Sequence, residues 1–300
     1  VYVFHEDTLK YRFNDAHPFN QQRLVVTGDL LRQAGALSDA QIVRPLRAAT
    51  EEELLYVHTA VYVNAVKRLS APTPSPEDVL LAERFGLNTD DTPFFENMHD
   101  ITRVIVGGSI EAAERVMSGR SDHALHLGGG LHHAMRHKGS GFCVYNDVSV
   151  AIAHIRRHYD AKVLYIDTDV HHGDGVQWSF YTVPEVCTLS LHETGKYLFP
   201  GTGAVNERGE GEGFGYTFNL PLEPYTEDES WLDAFNEAVE KVTRFFRPDV
   251  IVSQHGCDAH AFDPLSHIHC SMRIYAEMPR RIHRLAHEFC GGKWIALGGG

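Results

Sequence analysis

The sequence predicts an α/β fold: a single-domain, open and mainly parallel sheet flanked by helices on both faces. Three observations predict it. Short apolar, β-branched runs alternate with stretches of helical periodicity. The 300 residues, 43% of them hydrophobic, are enough to bury a large core, and α/β folds of this length often form one domain. Clusters of histidine, aspartate and glycine follow the apolar runs, at the strand C-termini where open parallel sheets bind ligands.

Taken in order, Thr50 and Glu53 form a capping box ahead of Leu54. A helix spans about 101–118 and ends at Gly119. Helical spacing returns over 147–158, 229–246 and 273–289, and between these stretches the runs 163–166, 186–191, 250–253 and 294–297 read as buried strands. No internal repeat is visible. Two stretches are expected to be flexible, 71–78, rich in proline and serine, and 206–215, rich in glycine and glutamate. Neither has the character of a domain linker, so one domain is expected over 1–300. The chain opens at Val1 without an initiator methionine and stops in the run Gly298 to Gly300, and is therefore expected to be a slice of something longer.

The formal charge of −13, from 27 Lys and Arg against 40 Asp and Glu, argues against a nucleic-acid binder, which needs a basic stripe. A cationic or neutral substrate fits better. No run approaches the apolar length of a membrane span, and no basic-then-apolar leader is visible, so neither membrane nor export is indicated. The five cysteines are odd in number and widely spaced, which suits reduced thiols in a cytoplasm rather than a disulfide framework. Of the 20 histidines, ten fall between His123 and His192.

Within that region Asp167, Asp169 and His171 alternate at i, i+2 and i+4 on leaving the strand at 163–166. Extended backbone would point all three the same way, into the protein. Two carboxylates buried at the end of an apolar strand are costly without a cation, so a metal is the simplest tenant. Asp258, just past the strand at 250–253, completes an Asp-His-Asp set that leaves positions open for water and a carbonyl. Oxygen and nitrogen donors suit Zn²⁺, with Fe²⁺ or Mn²⁺ as alternatives. The tandem pair His132-His133 follows a glycine-rich turn that lets backbone approach closely. Histidine is the natural general base near neutral pH, and Asp167 and Asp174 could orient the two imidazoles.

The motifs Gly128-Gly-Gly-Leu-His-His-Ala134, Gly141-Phe-Cys-Val-Tyr-Asn-Asp147, Asp167-Thr-Asp-Val-His-His-Gly-Asp-Gly175, Phe199-Pro-Gly-Thr-Gly203 and Cys257-Asp258 resemble, in order, those of the histone deacetylase superfamily. The pattern is most similar to the bacterial acetoin-utilisation deacetylases, which resemble class I histone deacetylases. The resemblance implies an arginase/deacetylase-like fold and zinc held by Asp169, His171 and Asp258. It implies His133 as base and acid, His132 as a neighbouring electrostatic catalyst, and Asp174 and Asp167 as their carboxylate partners. Phe142, Phe199 and Gly141 would line a narrow tunnel for an acetyl-lysine stem, and Asp90 would grip the substrate backbone at its rim. Asp167, Ser190 and Leu191, with the carbonyls of Asp169 and His171, match a structural K⁺ site. Phe180, Val183, Val186 and Tyr216 resemble a second.

The implied reaction is hydrolysis of an acetyl-lysine amide, in an acetylated protein or peptide or, alternatively, of an acetylated small amine such as an acetylpolyamine. The family places a tyrosine after its last glycine-rich turn as an oxyanion donor, and the chain stops within that turn. The 300-residue piece is therefore expected to bind metal and to turn over poorly, by on the order of 10²- to 10³-fold. Two rivals stand beside this reading. Arginase-like ureohydrolases use two Mn²⁺ ions and need additional bridging aspartates, which the segment 257–264 lacks. A non-catalytic sensor of metal or acetyl ligands would not need a proton shuttle.

Overall fold

The computed structural model describes all residues 1–300. Eight strands form one sheet: β1 (Tyr2–Val3), β2 (Ile42–Val43), β3 (His123–His126), β4 (Val163–Asp167), β5 (Val186–Glu193), β6 (Thr217–Leu222), β7 (Val250–Gln254) and β8 (Trp294–Leu297). Their order across the sheet is β2-β1-β3-β8-β7-β4-β5-β6, and every ladder is parallel, more uniform than the mainly parallel sheet expected. Parallel neighbours need crossovers, which nine helices supply. These are α1 (Gln22–Gln33), α2 (Glu51–Leu54), α3 (Ala60–Leu69), α4 (Pro76–Ala82), α5 (Met98–Met117), α6 (Asp147–Tyr159), α7 (Asp174–Phe180), α8 (Asp228–Phe246) and α9 (Met272–Phe289).

Successive strand residues feed opposite cores, as a period of two demands. Leu164, Ile166 and Ile251 pack with Trp231, Phe235 and Ile282 from α8 and α9. Val163, Tyr165 and Val250 pack on the other face with Val116, Ile152 and Val176 from α5, α6 and α7. Strands covered on both faces carry continuous apolar runs, which is why 163–166, 186–191 and 250–253 read so clearly. A third core joins α3 and α5 to Tyr11, Val144 and Tyr145 beneath the cavity wall.

The capping box is present: Thr50 Oγ1 accepts from Glu53 N at 3.2 Å, and Glu53 Oε2 accepts from Thr50 N at 2.7 Å. Of the stretch 71–78, residues 71–75 are irregular and 76–78 form the first turn of α4. Ser75 caps α4 by accepting from Asp78 N at 3.1 Å, and Pro76 takes the first helical position, where a missing N–H does no harm. The glycine-rich stretch 206–215 is likewise tethered, because both carboxylate oxygens of Glu207 accept from Gly203 N, at 3.1 and 3.0 Å.

Candidate active site

A cavity of about 650 Å³ opens at the C-terminal ends of β3, β4, β7 and β8, and its lining includes His132, His133, Asp169, His171 and Asp258. The chemistry-bearing loops come from neighbouring strands, although they are far apart in the chain: Gly300 N donates to Asp169 Oδ2 across 131 residues.

The tandem histidines owe their place to Asp147. This buried carboxylate accepts from Gly130 N at 3.0 Å, Leu131 N at 2.7 Å and Ser109 Oγ at 2.5 Å, pinning the glycine turn after β3. Asn146 Nδ2 then donates to the carbonyls of His132 at 3.0 Å and Ala134 at 2.9 Å, fixing the backbone on both sides of His133. Gly130 has φ +95° and a Cβ there would lie 2.0 Å from Gly298 O, so only glycine lets the β3 and β8 turns meet.

Each imidazole has its own carboxylate. His132 Nδ1 lies 2.7 Å from Asp167 Oδ2, and His133 Nδ1 lies 2.7 Å from Asp174 Oδ1. Burial opposes charge on His132, but the carboxylates of Asp167 and Asp169 outweigh it and lift its pKa to about 9. Burial, followed by the charge of His132, lowers His133 to about 4, against the pull of Asp174.

The alternation expected for Asp167, Asp169 and His171 breaks after the first of them. β4 ends at Asp167, whose Oδ2 accepts from Tyr165 OH at 2.6 Å and whose Oδ1 accepts from Asp169 N at 3.2 Å. Asp167 thus lies beneath His132, while the chain turns and brings Asp169 and His171 to the cavity. There His171 Nδ1 stands 3.1 Å from Asp169 Oδ1 and 3.0 Å from Asp258 Oδ2. These three side chains offer ligand atoms within 4.8 Å of one another.

The donor set fits a divalent cation. Burial and the charge of Asp169 push Asp258 up, whereas Asp169 is held well below the usual carboxylate range, despite burial, by His132 and His171. Although burial works against it, His171 is raised to about 11 by its hydrogen bonds to both carboxylates. Two buried carboxylates thus compete for positive charge that an ion could supply in place of protons. The set is also held from outside: Asp169 Oδ2 accepts from Gln254 Nε2 at 2.8 Å and Gly300 N at 3.0 Å, and Asp258 Oδ1 accepts from Val170 N at 2.9 Å.

Phe142 and Phe199 flank the approach, with the Phe199 ring 5.0 Å from that of His133. Phe142 has φ +67°, a conformation its side chain rarely adopts. It is held there by two bonds: its N–H donates to Thr92 Oγ1 at 3.1 Å and its carbonyl accepts from Tyr11 OH at 2.6 Å. Gly141 also lines the cavity. Asp90 does not: it is exposed, and its neighbour Asp91 lines the mouth instead, a correction of one position within a turn whose spacing carries no periodicity.

Ser190 sits opposite Asp167 in the β4–β5 register, and Leu191 is buried beside it. Phe180, Val183, Val186 and Tyr216 surround the turn between α7 and β5, where the carbonyls of Phe180, Val183 and Tyr216 already accept backbone N–H groups. Sequence reasoning missed Arg23 altogether. It reaches the cavity from α1, and its guanidinium donates to Gly299 O. A lone arginine on a weakly patterned helix gives no sequence signal. The positioning roles of Asn146 and Asp147 were equally unread, although both lie inside a recognised motif.

A family model described as the histone deacetylase domain matches residues 17–300. Over 300 residues the chain is 54% identical to the acetoin utilization protein AcuC of Bacillus subtilis (strain 168), covering all of this chain and 76% of that protein. It is 46% identical over 299 residues to the AcuC of Staphylococcus xylosus, covering 100% of this chain and 77% of that one. Among solved structures, an HDAC homolog from Aquifex aeolicus superposes with a TM-score of 0.90 at 30% identity, over 99% of this chain and 78% of that one. An HDAC homolog complexed with SAHA gives 0.89 at 30% identity, over 100% and 78%. With its parallel α/β sheet, tandem histidines and Asp-His-Asp cluster all in one cavity, the chain belongs to the histone deacetylase family.

Proposed function

We propose that the protein is a zinc-dependent amide hydrolase, a single catalytic domain that removes acetyl groups from N-ε-acetyl-lysine in proteins or peptides. One observation carries this reading. The Asp169–His171–Asp258 trio and the His133–Asp174 pair line the same cavity, with the rings of His133 and His171 6.0 Å apart.

Zn²⁺ held by Asp169, His171 and Asp258 supplies Lewis acidity toward the acetyl carbonyl and lowers the pKa of a water from 15.7 toward about 7. His133, kept neutral at pH 7, takes the proton of the attacking water. Asp174 accepts from its Nδ1–H, fixing the tautomer that leaves Nε2 free and steadying the imidazolium that follows. His133 then returns the proton to the departing lysine amine. His132, charged and buried beside it, favours the oxyanion electrostatically. Phe142 and Phe199 give the four-carbon lysine stem apolar walls and keep bulk water from the cavity floor, with Gly141 leaving room between them.

Asp169, His171 and Asp258 bring their ligand atoms together, while the neighbouring His132 and His133 are each paired with a carboxylate of their own, Asp167 and Asp174, which supports one ion there rather than a bridged pair. K⁺ at Asp167, Ser190 and Leu191 is supported by the loop carbonyls of Asp169 and His171, since no backbone N–H donates to either. A cytoplasmic setting is supported by five cysteines without a disulfide. No helix is long and apolar enough to cross a membrane.

The test is turnover by the protein expressed from its complete reading frame and loaded with Zn²⁺, beside His133→Ala. Both are assayed against an acetyl-lysine peptide and N-acetylspermidine, with metal content recorded. Peptide turnover lost in the variant supports the proposal. Turnover of the polyamine alone changes the substrate class, and no turnover by metal-loaded protein refutes the hydrolase.

A further inference from the structure

At the end of the sheet opposite the cavity, three imidazoles converge. His123 opens β3, while His283 and His287 stand one turn apart on the same side of α9. The His123 ring centroid is 4.7 Å from that of His283 and 5.2 Å from that of His287, and the last two are 4.6 Å apart. One ligand nitrogen from each lies within 4.8 Å of the others. His123 Nε2 is buried without a hydrogen-bond partner, whereas His283 and His287 are exposed. A buried ring nitrogen with no partner, set against two imidazoles open to solvent, leaves a polar group unsatisfied that an ion would satisfy.

We propose that His123, His283 and His287 form a second metal site, separate from the catalytic cavity, that binds a divalent transition ion such as Zn²⁺, Ni²⁺ or Cu²⁺. Three neutral imidazoles select this class: nitrogen donors suit these ions, while Mg²⁺ and Ca²⁺ require an oxygen-rich set. Three protein ligands leave a position for water, and the exposed carboxylate of Asp122 stands next to His123. The site has a structural consequence. An ion there ties α9 to β3, two elements with no backbone pairing between them, across the start of β8, where His123 registers with Trp294. The Trp294 ring lies 5.9 Å from His123 and 6.1 Å from His283, so a bound Cu²⁺ would quench its fluorescence.

The experiment is Zn²⁺ uptake by equilibrium dialysis for the intact protein, for His283→Gln/His287→Gln and for Asp258→Asn, with Cu²⁺ quenching of tryptophan in Zn²⁺-loaded samples. The double variant should bind about one equivalent less than the intact protein and lose the quenching, while Asp258→Asn keeps it. If the double variant fails to fold, His287→Gln alone should weaken the site at least tenfold. Unchanged uptake and quenching in the histidine variants overturn the second site. That result would leave the catalytic proposal standing, since that proposal depends on Asp258 and not on α9. Two ions both lost in Asp258→Asn, with none lost in the double variant, would instead place a bridged pair in the cavity and overturn both proposals.

Discussion

His132 and His133 are adjacent in the chain with ring centroids 3.9 Å apart, yet they pair with different carboxylates and hold different charges at neutral pH. One backbone step separates a charged ring over Asp167 from a neutral ring over Asp174. The neutral ring is the one able to accept a proton. His133→Ala should therefore lower kcat by about 10²- to 10⁴-fold while metal content stays that of the intact protein. Asp174→Asn should lose less, on the order of tenfold to a hundredfold, with KM nearly unchanged. Steady-state kinetics with metal analysis checks both, and loss of the ion in either variant would contradict the division of roles.

Metal binding should release a proton. His171 is raised to about 11, so in the ion-free protein it is protonated across the neutral range, and a coordinating imidazole must be neutral. The sign follows: rising pH removes the competing proton and tightens binding, by up to about tenfold per pH unit between pH 6 and 8. Isothermal titration of Zn²⁺ in buffers of different ionisation enthalpy measures the release directly. An affinity flat in pH would contradict the ligand role of His171.

Gly141→Ala should cripple the site without emptying it. A Cβ at Gly141 would lie 2.6 Å from His133 Cδ2 and 2.8 Å from Phe199 Cε1, at φ +49°, where alanine is also strained. The base and the wall must then separate, and a misplacement near 1 Å costs about 10²-fold in rate. Activity near that of the intact protein would show that the wall yields freely.

Its buried neutral histidines should make the protein lose stability in acid. Burial keeps His58 near a pKa of about 4 and His126 and His192 near about 3, against about 6.5 in an unfolded chain. Below pH 6.5 the unfolded chain binds protons at these rings that the folded one does not, so stability falls as pH drops toward 4, offset in part by Asp258, whose raised carboxyl takes up its proton in the folded state first. Each ring contributes on the order of 2–3 kcal/mol over that window. Urea unfolding at a series of pH values reads the slope, and a midpoint constant between pH 6.5 and 4.5 would refute it.

Much of this architecture was legible because a strand covered on both faces must be apolar throughout. The runs 163–166, 250–253 and 294–297 say so in the sequence itself, and β4, β7 and β8 match them within a residue. The two-residue strands β1 and β2 are too short to have a period. The edge strand β6 carries Pro221, which breaks the pattern but is tolerated where no further strand needs its N–H. Helix α1 buries only Leu24 and Gly28, too few for an apolar stripe. In the site, residue types and order pointed to the trio, but alternation misjudged how they meet, since the strand stops at Asp167 and loop geometry does the rest. Asp91 rather than Asp90 at the mouth is the same failure, one residue wide.

β8 lies between β3 and β7, so without it the group β2-β1-β3 and the group β7-β4-β5-β6 share no hydrogen-bonded edge. It is also the latest of the eight strands in the chain. During synthesis both halves emerge first with an edge of unpaired N–H and C=O groups facing outward, a hazard for pairing with other chains. The sheet closes only when residues 294–297 slot between them, late and over long sequence separations, which favours slow folding. The catalytic cavity, whose walls come from both halves, is therefore among the last features of the molecule to be assembled.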